Sequence, residues 1–168
     1  ALLPKSNIEE NIAVSLFEGV LKKGTVQEKQ AVLKALSGFK SDAATKLLAQ
    51  QLTQLTTGKA KSTLHLDIIE AVEAQKNTNN LTQLQAYLKE QATTDPLAEY
   101  RSTLAGGNRE KGRRIFYDNG AAQCVRCHAI FEYGGNAGPT LAGVGSRLTK
   151  EKLLTALIEP SAEFAENY

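Results

Sequence analysis

The chain of 168 residues lacks methionine and tryptophan, and it has only two cysteines, two histidines and four prolines. No apolar run approaches the roughly 18 residues of a spanning helix, so we expect no membrane span. A net charge of +2 is too small to indicate nucleic-acid binding. Few residues are aromatic, and Ala, Leu, Gln and Lys are frequent, which is a helical composition. The hydrophobic fraction of 42% is sufficient for a folded core.

The first hundred residues carry apolar residues at the spacing of amphipathic helices, and no comparable pattern indicates a strand. In the first helix, which we expect to end at Gly24, the spacing predicts one buried stripe. The stripe comprises Ile8, Ile12, Leu16 and Val20, with Phe17 and Leu21 beside it. Further helices are predicted to begin at capping residues or at a first-turn proline. These starts are Thr25, Ser41 or Asp42, Ser62, Asn79 or Asn80, and Asp95 with Pro96.

An internal repeat becomes visible when the sequence is shifted by 36 residues. The segment 32–36 then aligns with 68–72, and Leu48 aligns with Leu84. Helix pairs repeated at this period stack on one another because no pair buries its apolar face alone. Residues 25–92 therefore resemble HEAT repeats, with the first helix as a partial repeat or cap and with Leu48 and Leu84 both buried. A plain antiparallel helical bundle is the alternative.

The composition changes after Gly106 and Gly107, so we place a domain boundary at about residue 106. Residues 1–105 are interpreted as a HEAT-like helical repeat region and residues 106–168 as a second domain. Glycine is frequent in the second domain, where we expect one long loop over residues 129–148. Residues 108–152 hold eight basic and four acidic side chains. This excess is compatible with a docking surface for an acidic redox partner, but an ordinary solvated surface is the commoner explanation.

The second domain contains the run Cys124-Val-Arg-Cys127-His128, a C-x-x-C-H pattern that indicates c-type haem attachment. Two residues between the cysteines place both sulfurs on one helical turn, where they can form thioethers with the two porphyrin vinyl groups. The next residue, His128, then directs its imidazole at the iron. We therefore expect one covalent haem c with His128 as the proximal iron ligand.

Other interpretations of the two cysteines are open on the sequence. A structural zinc site needs four ligands, and the adjacent Cys127 and His128 rarely reach one metal together. A thioredoxin-like C-x-x-C requires a βαβ context, for which there is no sign. A disulfide across this short loop would leave His128 and the glycine-rich loop unexplained.

Residues 108–160 resemble the front half of a class I cytochrome c domain. The resemblance rests on Gly112 and Phe116 in a first helix over residues 109–117, on the haem motif, and on Gly138-Pro139-Thr140-Leu141. With Glu159-Pro160-Ser161 and Tyr168, the run resembles more closely a haem-binding domain of large secreted bacterial proteins. In those proteins the domain follows HEAT-like repeats and often a dehydrogenase-type β-propeller. The implied fold of the whole chain is all-α.

The resemblance implies roles for several residues of the second domain. The carbonyl of Pro139 would accept a hydrogen bond from His128 Nδ1–H, and Leu141 belongs to the same cofactor-binding loop. Arg147 stands where the family has an arginine near a haem propionate, although a surface arginine is equally compatible with the sequence. His65 is either a distal iron ligand or, more commonly for such a position, an exposed or capping histidine. Apolar residues expected in the haem pocket or the core are Ile115, Phe116, Ile130, Leu141, Val144, Leu148, Leu153 and Leu157.

These features predict electron transfer by a mono-haem cytochrome, between a dehydrogenase domain and an acceptor cytochrome. No acid–base pair, nucleophile or substrate pocket is recognisable, so we favour an electron-transfer domain over an enzyme. One alternative is a haem enzyme or sensor whose open iron position binds peroxide or nitric oxide. Another is a HEAT-type interaction module with a tethered haem domain. Because haem c is attached outside the cytoplasm in the resembling proteins, we expect a periplasmic or secreted location.

The cytochrome domain is expected to be incomplete. Residues 109–117 and 149–158 account for a first and a middle helix, and Pro160 ends the second of these. Too few residues follow for the closing helix that a class I domain places across its first helix. We therefore expect that the chain is a processed product or a clipped fragment, or that another chain completes the domain. The iron would then be five-coordinate, or capped by water, by His65 or by a residue of that other chain.

Overall fold

The computed structural model describes residues 10–92 and 97–161. Helix accounts for 69% of the structure and strand for 3%, so the fold is all-α as predicted. Within these ranges, 3-10 helices occur at Ser62–Leu64 and Ala98–Leu104, and a short antiparallel pair is formed by β1 (Ala129–Ile130) and β2 (Tyr133–Gly134). The α-helices of the described residues are α1 (Glu10–Lys23), α2 (Val26–Leu36), α3 (Asp42–Thr56), α4 (His65–Gln75), α5 (Thr78–Ala92), α6 (Arg109–Asp118), α7 (Cys124–Cys127), α8 (Val144–Arg147) and α9 (Lys150–Ile158).

The chain divides into two compact units, Ala1–Gly107 and Asn108–Tyr168. The first unit contains α1–α5 and nearly all of the buried apolar side chains. The second contains α6–α9 and the β1–β2 pair. Among the described residues, no helix is both long enough and apolar enough to span a membrane.

Capping side chains explain where the helices of the first unit begin. Thr25 and Glu28 form a reciprocal capping box at α2: the Glu28 backbone N–H donates to Thr25 Oγ1, and the Thr25 backbone N–H donates to Glu28 Oε2 at 2.7 Å. Ser41 caps α3 by accepting from the Ala44 N–H. Each bond satisfies a donor that the first helical turn leaves without a partner. The predicted starts at Thr25 and Ser41 are therefore confirmed.

Other predicted boundaries need correction. The fourth helix begins at Ser62 as a 3-10 turn and continues as α4 only from His65. The predicted start of α5 at Asn79 or Asn80 is wrong, because the Asn77 carboxamide accepts from the Asn80 N–H and so caps the helix two residues earlier. Ile8, Asp95, Pro96 and Tyr168 lie outside the described residues.

The buried face of α1 differs from the predicted stripe. Ile12 and Leu16 are 54% and 55% exposed, whereas Phe17 is only 2% exposed. The Phe17 ring lies 5.6 Å, centroid to centroid, from the ring of Phe39. Two neighbouring apolar stripes compete on α1, and the one that carries the aromatic side chain removes more apolar area from water. The helix therefore buries the stripe of Ala13, Phe17 and Leu21.

The α2–α3 and α4–α5 hairpins pack on each other through apolar and polar contacts. Leu48 and Leu84 are both buried, at 0% and 1% exposure, as predicted. Gln75 Nε2 donates to the Phe39 carbonyl at 3.1 Å across a separation of 36 residues. Similar bonds run from Gln30 Nε2 to Asp67 and from Asn80 Nδ2 to the Thr45 carbonyl. The hairpins are thus in register at the repeat distance, and their kinship with HEAT repeats stays a prediction.

The second unit has little polypeptide core of its own. Its predicted first and middle helices are confirmed as α6, capped by Asn108, and α9, capped by Thr149. Leu154, at 7% exposure, is its one buried apolar side chain among the described residues. The predicted uninterrupted loop over residues 129–148 is wrong, because β1, β2 and α8 lie within it. The residues after Ser161, in which we expected no closing helix, lie outside the described residues, and the incompleteness of the domain stays a prediction.

Candidate functional site

A side-chain-stabilised turn leads into the helix that carries the cysteines. Asn119 Oδ1 accepts from the backbone N–H groups of Ala121 and Ala122, each at 2.9 Å. Gln123 then adopts a left-handed conformation, with φ of 49°, immediately before α7. Its side chain compensates for this strain, because Nε2 donates to the Gly120 carbonyl and Oε1 accepts from Arg126 at 2.6 Å. The turn therefore fixes the direction in which α7 begins.

Helix α7 presents two thiols on one helical turn. Cys124 is half-buried and Cys127 is exposed, and both are free. The turn is closed by the His128 backbone N–H, which donates to the Cys124 carbonyl at 3.0 Å. The disulfide interpretation is therefore not supported. Within the described ranges no cluster of three or more His, Cys, Asp or Glu side chains is placed to hold a metal ion.

The imidazole of His128 is oriented by the loop that follows. Its Nδ1 lies 2.8 Å from the Pro139 carbonyl oxygen, the contact that the resemblance implies. Because a carbonyl only accepts hydrogen bonds, Nδ1 carries a proton, and in the neutral ring Nε2 would be the nitrogen that offers a lone pair to a metal. Gly138 lies against the ring, since an added Cβ would come within 2.7 Å of His128 Cε1. The loop thus holds the ring at one edge and leaves no space for a larger residue beside it.

Backbone hydrogen bonds attach this loop to the motif. The Gly138 N–H donates to the Cys127 carbonyl and the Leu141 N–H donates to the Ala129 carbonyl, both at 2.8 Å. Pro139 has no N–H of its own, so its neighbours on both sides carry the attachment. Leu141, predicted to be part of the cofactor-binding loop, is half-buried at this position.

Arg147 is placed at the end of α8 with its guanidinium over the same loop. One terminal nitrogen, NH2, donates to the Thr140 carbonyl at 2.9 Å and to the Ala142 carbonyl at 3.2 Å. The structure therefore gives Arg147 a contact that sequence reasoning missed. Its predicted pairing with a haem propionate stays a prediction.

The apolar residues around the motif are poorly covered by polypeptide. Ile115 and Leu148 are 43% and 38% exposed, and Leu157 is 77% exposed. The expectation that these three side chains lie in the core of the chain is therefore wrong. Their expected place in a haem pocket stays a prediction. Leu154, which is buried, was missing from the predicted set although it lies on α9 with Leu157. The other members, Phe116, Ile130, Leu141, Val144 and Leu153, are half-buried.

His65, the second histidine of the sequence, belongs to the first unit. Its Nε2 lies 3.1 Å from the Ala60 carbonyl, so Nε2 carries the proton and donates. This contact ties the start of α4 to the preceding turn, the local role that the sequence made the commoner expectation. Distal ligation by His65 stays a prediction.

Comparison with protein families identifies the second unit. The family model described as Cytochrome c matches residues 109–165. This part of the chain is a cytochrome c domain. Searches of curated proteins and of solved structures gave no match. The matched segment runs from the first residue of α6 to beyond α9, and it contains the whole Cys124–Cys127 helix with His128 and the Pro139 loop. Membership of this family implies covalently bound haem c.

The side chains of the cytochrome c domain fit that cofactor. Two free thiols one turn apart suit two thioether bonds, and an imidazole that donates through Nδ1 can offer Nε2 to the haem iron. The exposed apolar side chains of Ile115, Leu148 and Leu157 are available to pack against a large apolar ring. Cys124, Cys127 and His128 would therefore hold the haem, with Pro139 orienting the ligand.

Proposed function

We propose that the chain is a mono-haem c electron-transfer protein, with thioether bonds to Cys124 and Cys127 and with His128 as the proximal iron ligand. The observation that carries the proposal is the 2.8 Å contact between His128 Nδ1 and the Pro139 carbonyl. A C-x-x-C-H motif alone predicts attachment, whereas a tautomer fixed by a carbonyl also prepares the imidazole for a metal.

Each residue contributes one element of the mechanism. When bound, the haem supplies an iron that changes its charge by one electron. Cys124 and Cys127 keep the cofactor on the protein, so that electrons rather than cofactors are exchanged with partners. His128 supplies a strong nitrogen ligand whose direction Pro139 holds constant between the two oxidation states. Little reorganisation of the chain is then required when an electron arrives or leaves.

We further propose that the partners are a dehydrogenase domain as donor and another cytochrome as acceptor, in a periplasmic or secreted setting. Support comes from the resemblance to haem domains that follow helical repeats in large secreted bacterial proteins. The absence of any recognisable acid–base pair in the sequence also favours relay over catalysis. Copurification of a dehydrogenase activity with the tagged chain tests this pairing against the alternative of a HEAT-type interaction module.

Covalent attachment is tested by acid–acetone extraction of protein produced with a cytochrome c maturation system. We expect the Soret absorbance to stay with the denatured protein, and the mass to exceed that of the polypeptide by one haem. Cys124→Ala and Cys127→Ala should each leave a single thioether, and the double variant should lose all colour on extraction. Extraction of the colour from the wild-type protein would refute the proposal.

A second candidate function is ligand binding at the iron. It is favoured by the composition, because none of the 168 residues is a methionine that could occupy the distal position. Carbon monoxide added to the reduced protein tests it: rapid spectral change at low concentration indicates an exchangeable position, as a sensor or peroxidase requires. An unchanged spectrum indicates two firmly held axial ligands and favours simple electron transfer.

A further inference from the structure

The loop that presents Pro139 to His128 is closed on its outer side by two side chains. Thr140 Oγ1 donates to the Ala129 carbonyl at 3.2 Å and accepts from the Ala142 N–H at 3.3 Å. Arg147 NH2 bonds the Thr140 and Ala142 carbonyls. One guanidinium nitrogen carries two protons, so each proton serves one carbonyl. Together these four hydrogen bonds form a clamp, which we call the Thr140–Arg147 clamp.

The clamp acts on the atom that His128 uses. The Pro139 carbonyl lies in the same rigid peptide plane as the Thr140 nitrogen, so rotation about the Thr140 N–Cα bond swings the Pro139 oxygen. The Thr140 hydroxyl fixes one side of that plane to β1, and the Arg147 fork fixes the residues that follow. Without them, the turn would be restrained by the backbone bonds from the Gly138 N–H to the Cys127 carbonyl and from the Leu141 N–H to the Ala129 carbonyl.

We propose that Thr140 and Arg147 are positioning residues that hold the iron at a lower midpoint potential by keeping the Pro139 carbonyl against His128 Nδ1–H. The inference rests on the proposed function, in which His128 ligates the haem iron. A strong bond from Nδ1–H makes the imidazole a better electron donor, which stabilises the ferric state. Loosening the clamp weakens that bond, and the midpoint potential rises.

This positioning role differs from a purely electrostatic one in the side chains that it requires and in the effects expected of their substitution. If Arg147 acted only by its charge on a propionate, Arg147→Lys would preserve the potential, and a neutral change at Thr140 would have no effect. The clamp instead requires the planar fork, which a lysine ammonium does not reproduce. It also requires the Thr140 hydroxyl, which Thr140→Val removes without altering charge or shape.

The experiment compares the haem-loaded full chain with its Thr140→Val and Arg147→Lys variants by redox titration. Solvent exchange of the His128 Nδ1 proton is measured in parallel by NMR on the reduced protein. We expect both variants to shift the midpoint potential upward and to exchange the Nδ1 proton about fivefold faster, the factor that one ordinary hydrogen bond provides. Thr140→Ser keeps the hydroxyl and should restore wild-type values.

Arg114→Lys is the matched control, since Arg114 is an exposed arginine of α6 in the same domain. The inference is overturned if the midpoint potential and the Nδ1 proton exchange are unchanged in both test variants, or if the control shifts by the same amount. The proposed function still stands in either case, provided that the wild-type protein carries haem. A wild-type protein without attached haem would overturn both. If Thr140→Val loads no haem, an unshifted Arg147→Lys protein is sufficient to reject the clamp.

Discussion

Truncation of Leu48 or Leu84 to alanine tests the packing of the two hairpins. Both side chains are fully buried, so each variant loses the transfer free energy of the removed carbons and gains a cavity that the helices fill only in part. We expect each to lower the free energy of unfolding by about 2–5 kcal/mol. A loss of about 3 kcal/mol lowers the midpoint temperature of a unit of this size by about 12–24 °C.

The measurement is urea and thermal unfolding of the full chain, followed by circular dichroism at helical wavelengths. Leu16→Ala is the matched control, because Leu16 is a leucine of the same unit with 55% exposure. It should cost about 1 kcal/mol or less, since about half of its area is already in water. If Leu48→Ala and Leu84→Ala unfold at the control's midpoint, the two leucines do not hold the hairpins together.

Three further predictions concern the capping box and the haem loop. Thr25→Ala should lower the free energy of unfolding by about 1 kcal/mol in urea titrations, because α2 loses its N-cap; an unchanged midpoint would contradict the capping geometry. The Thr25 backbone N–H donates a hydrogen bond to the Glu28 carboxylate and is the main cause of its lowered pKa; the Thr25 hydroxyl donates a second bond with a smaller effect. The stabilisation that the Glu28 carboxylate provides is therefore complete above the ordinary glutamate pKa of about 4.3, and it is lost as the pH falls through the lower pKa of the folded chain. The free energies of unfolding of the wild type and of Glu28→Gln should therefore converge in acid. Gly138→Ala should displace the His128 ring and change the iron's absorption spectrum, whereas Gly145→Ala, whose added Cβ meets nothing within 4 Å, should not.

The helical content was predictable because apolar spacing and capping residues are local signals. Thr25 and Ser41 identified two helix starts correctly, since each supplies the side-chain oxygen that the first turn needs. The rotation of α1 was not predictable, because Ile12 and Phe17 lie on two competing stripes. Only the partner ring of Phe39, from the segment between α2 and α3, decides between them.

The sequence identifies the candidate haem ligands more readily than the residues that support them. The spacing of Cys124, Cys127 and His128 is a covalent requirement, so it is visible in one sequence. The Thr140–Arg147 clamp consists of hydrogen bonds from side chains to backbone groups, and such bonds require no fixed spacing that could be recognised in the sequence. The β1–β2 pair was missed for a related reason: two-residue strands are too short to show alternation, and the loop's own hydrogen bonds create them.

The contacts that orient His128 span few residues of chain. The Pro139 carbonyl is eleven positions from His128, and the Thr140 hydroxyl is eleven positions from the Ala129 carbonyl. The entropic cost of closing a loop grows only slowly with length, and loops of about 10 residues close in about 10–100 ns. The imidazole can therefore reach its working orientation early in folding and through local search alone. The contacts that orient it are thus encoded within the haem segment itself.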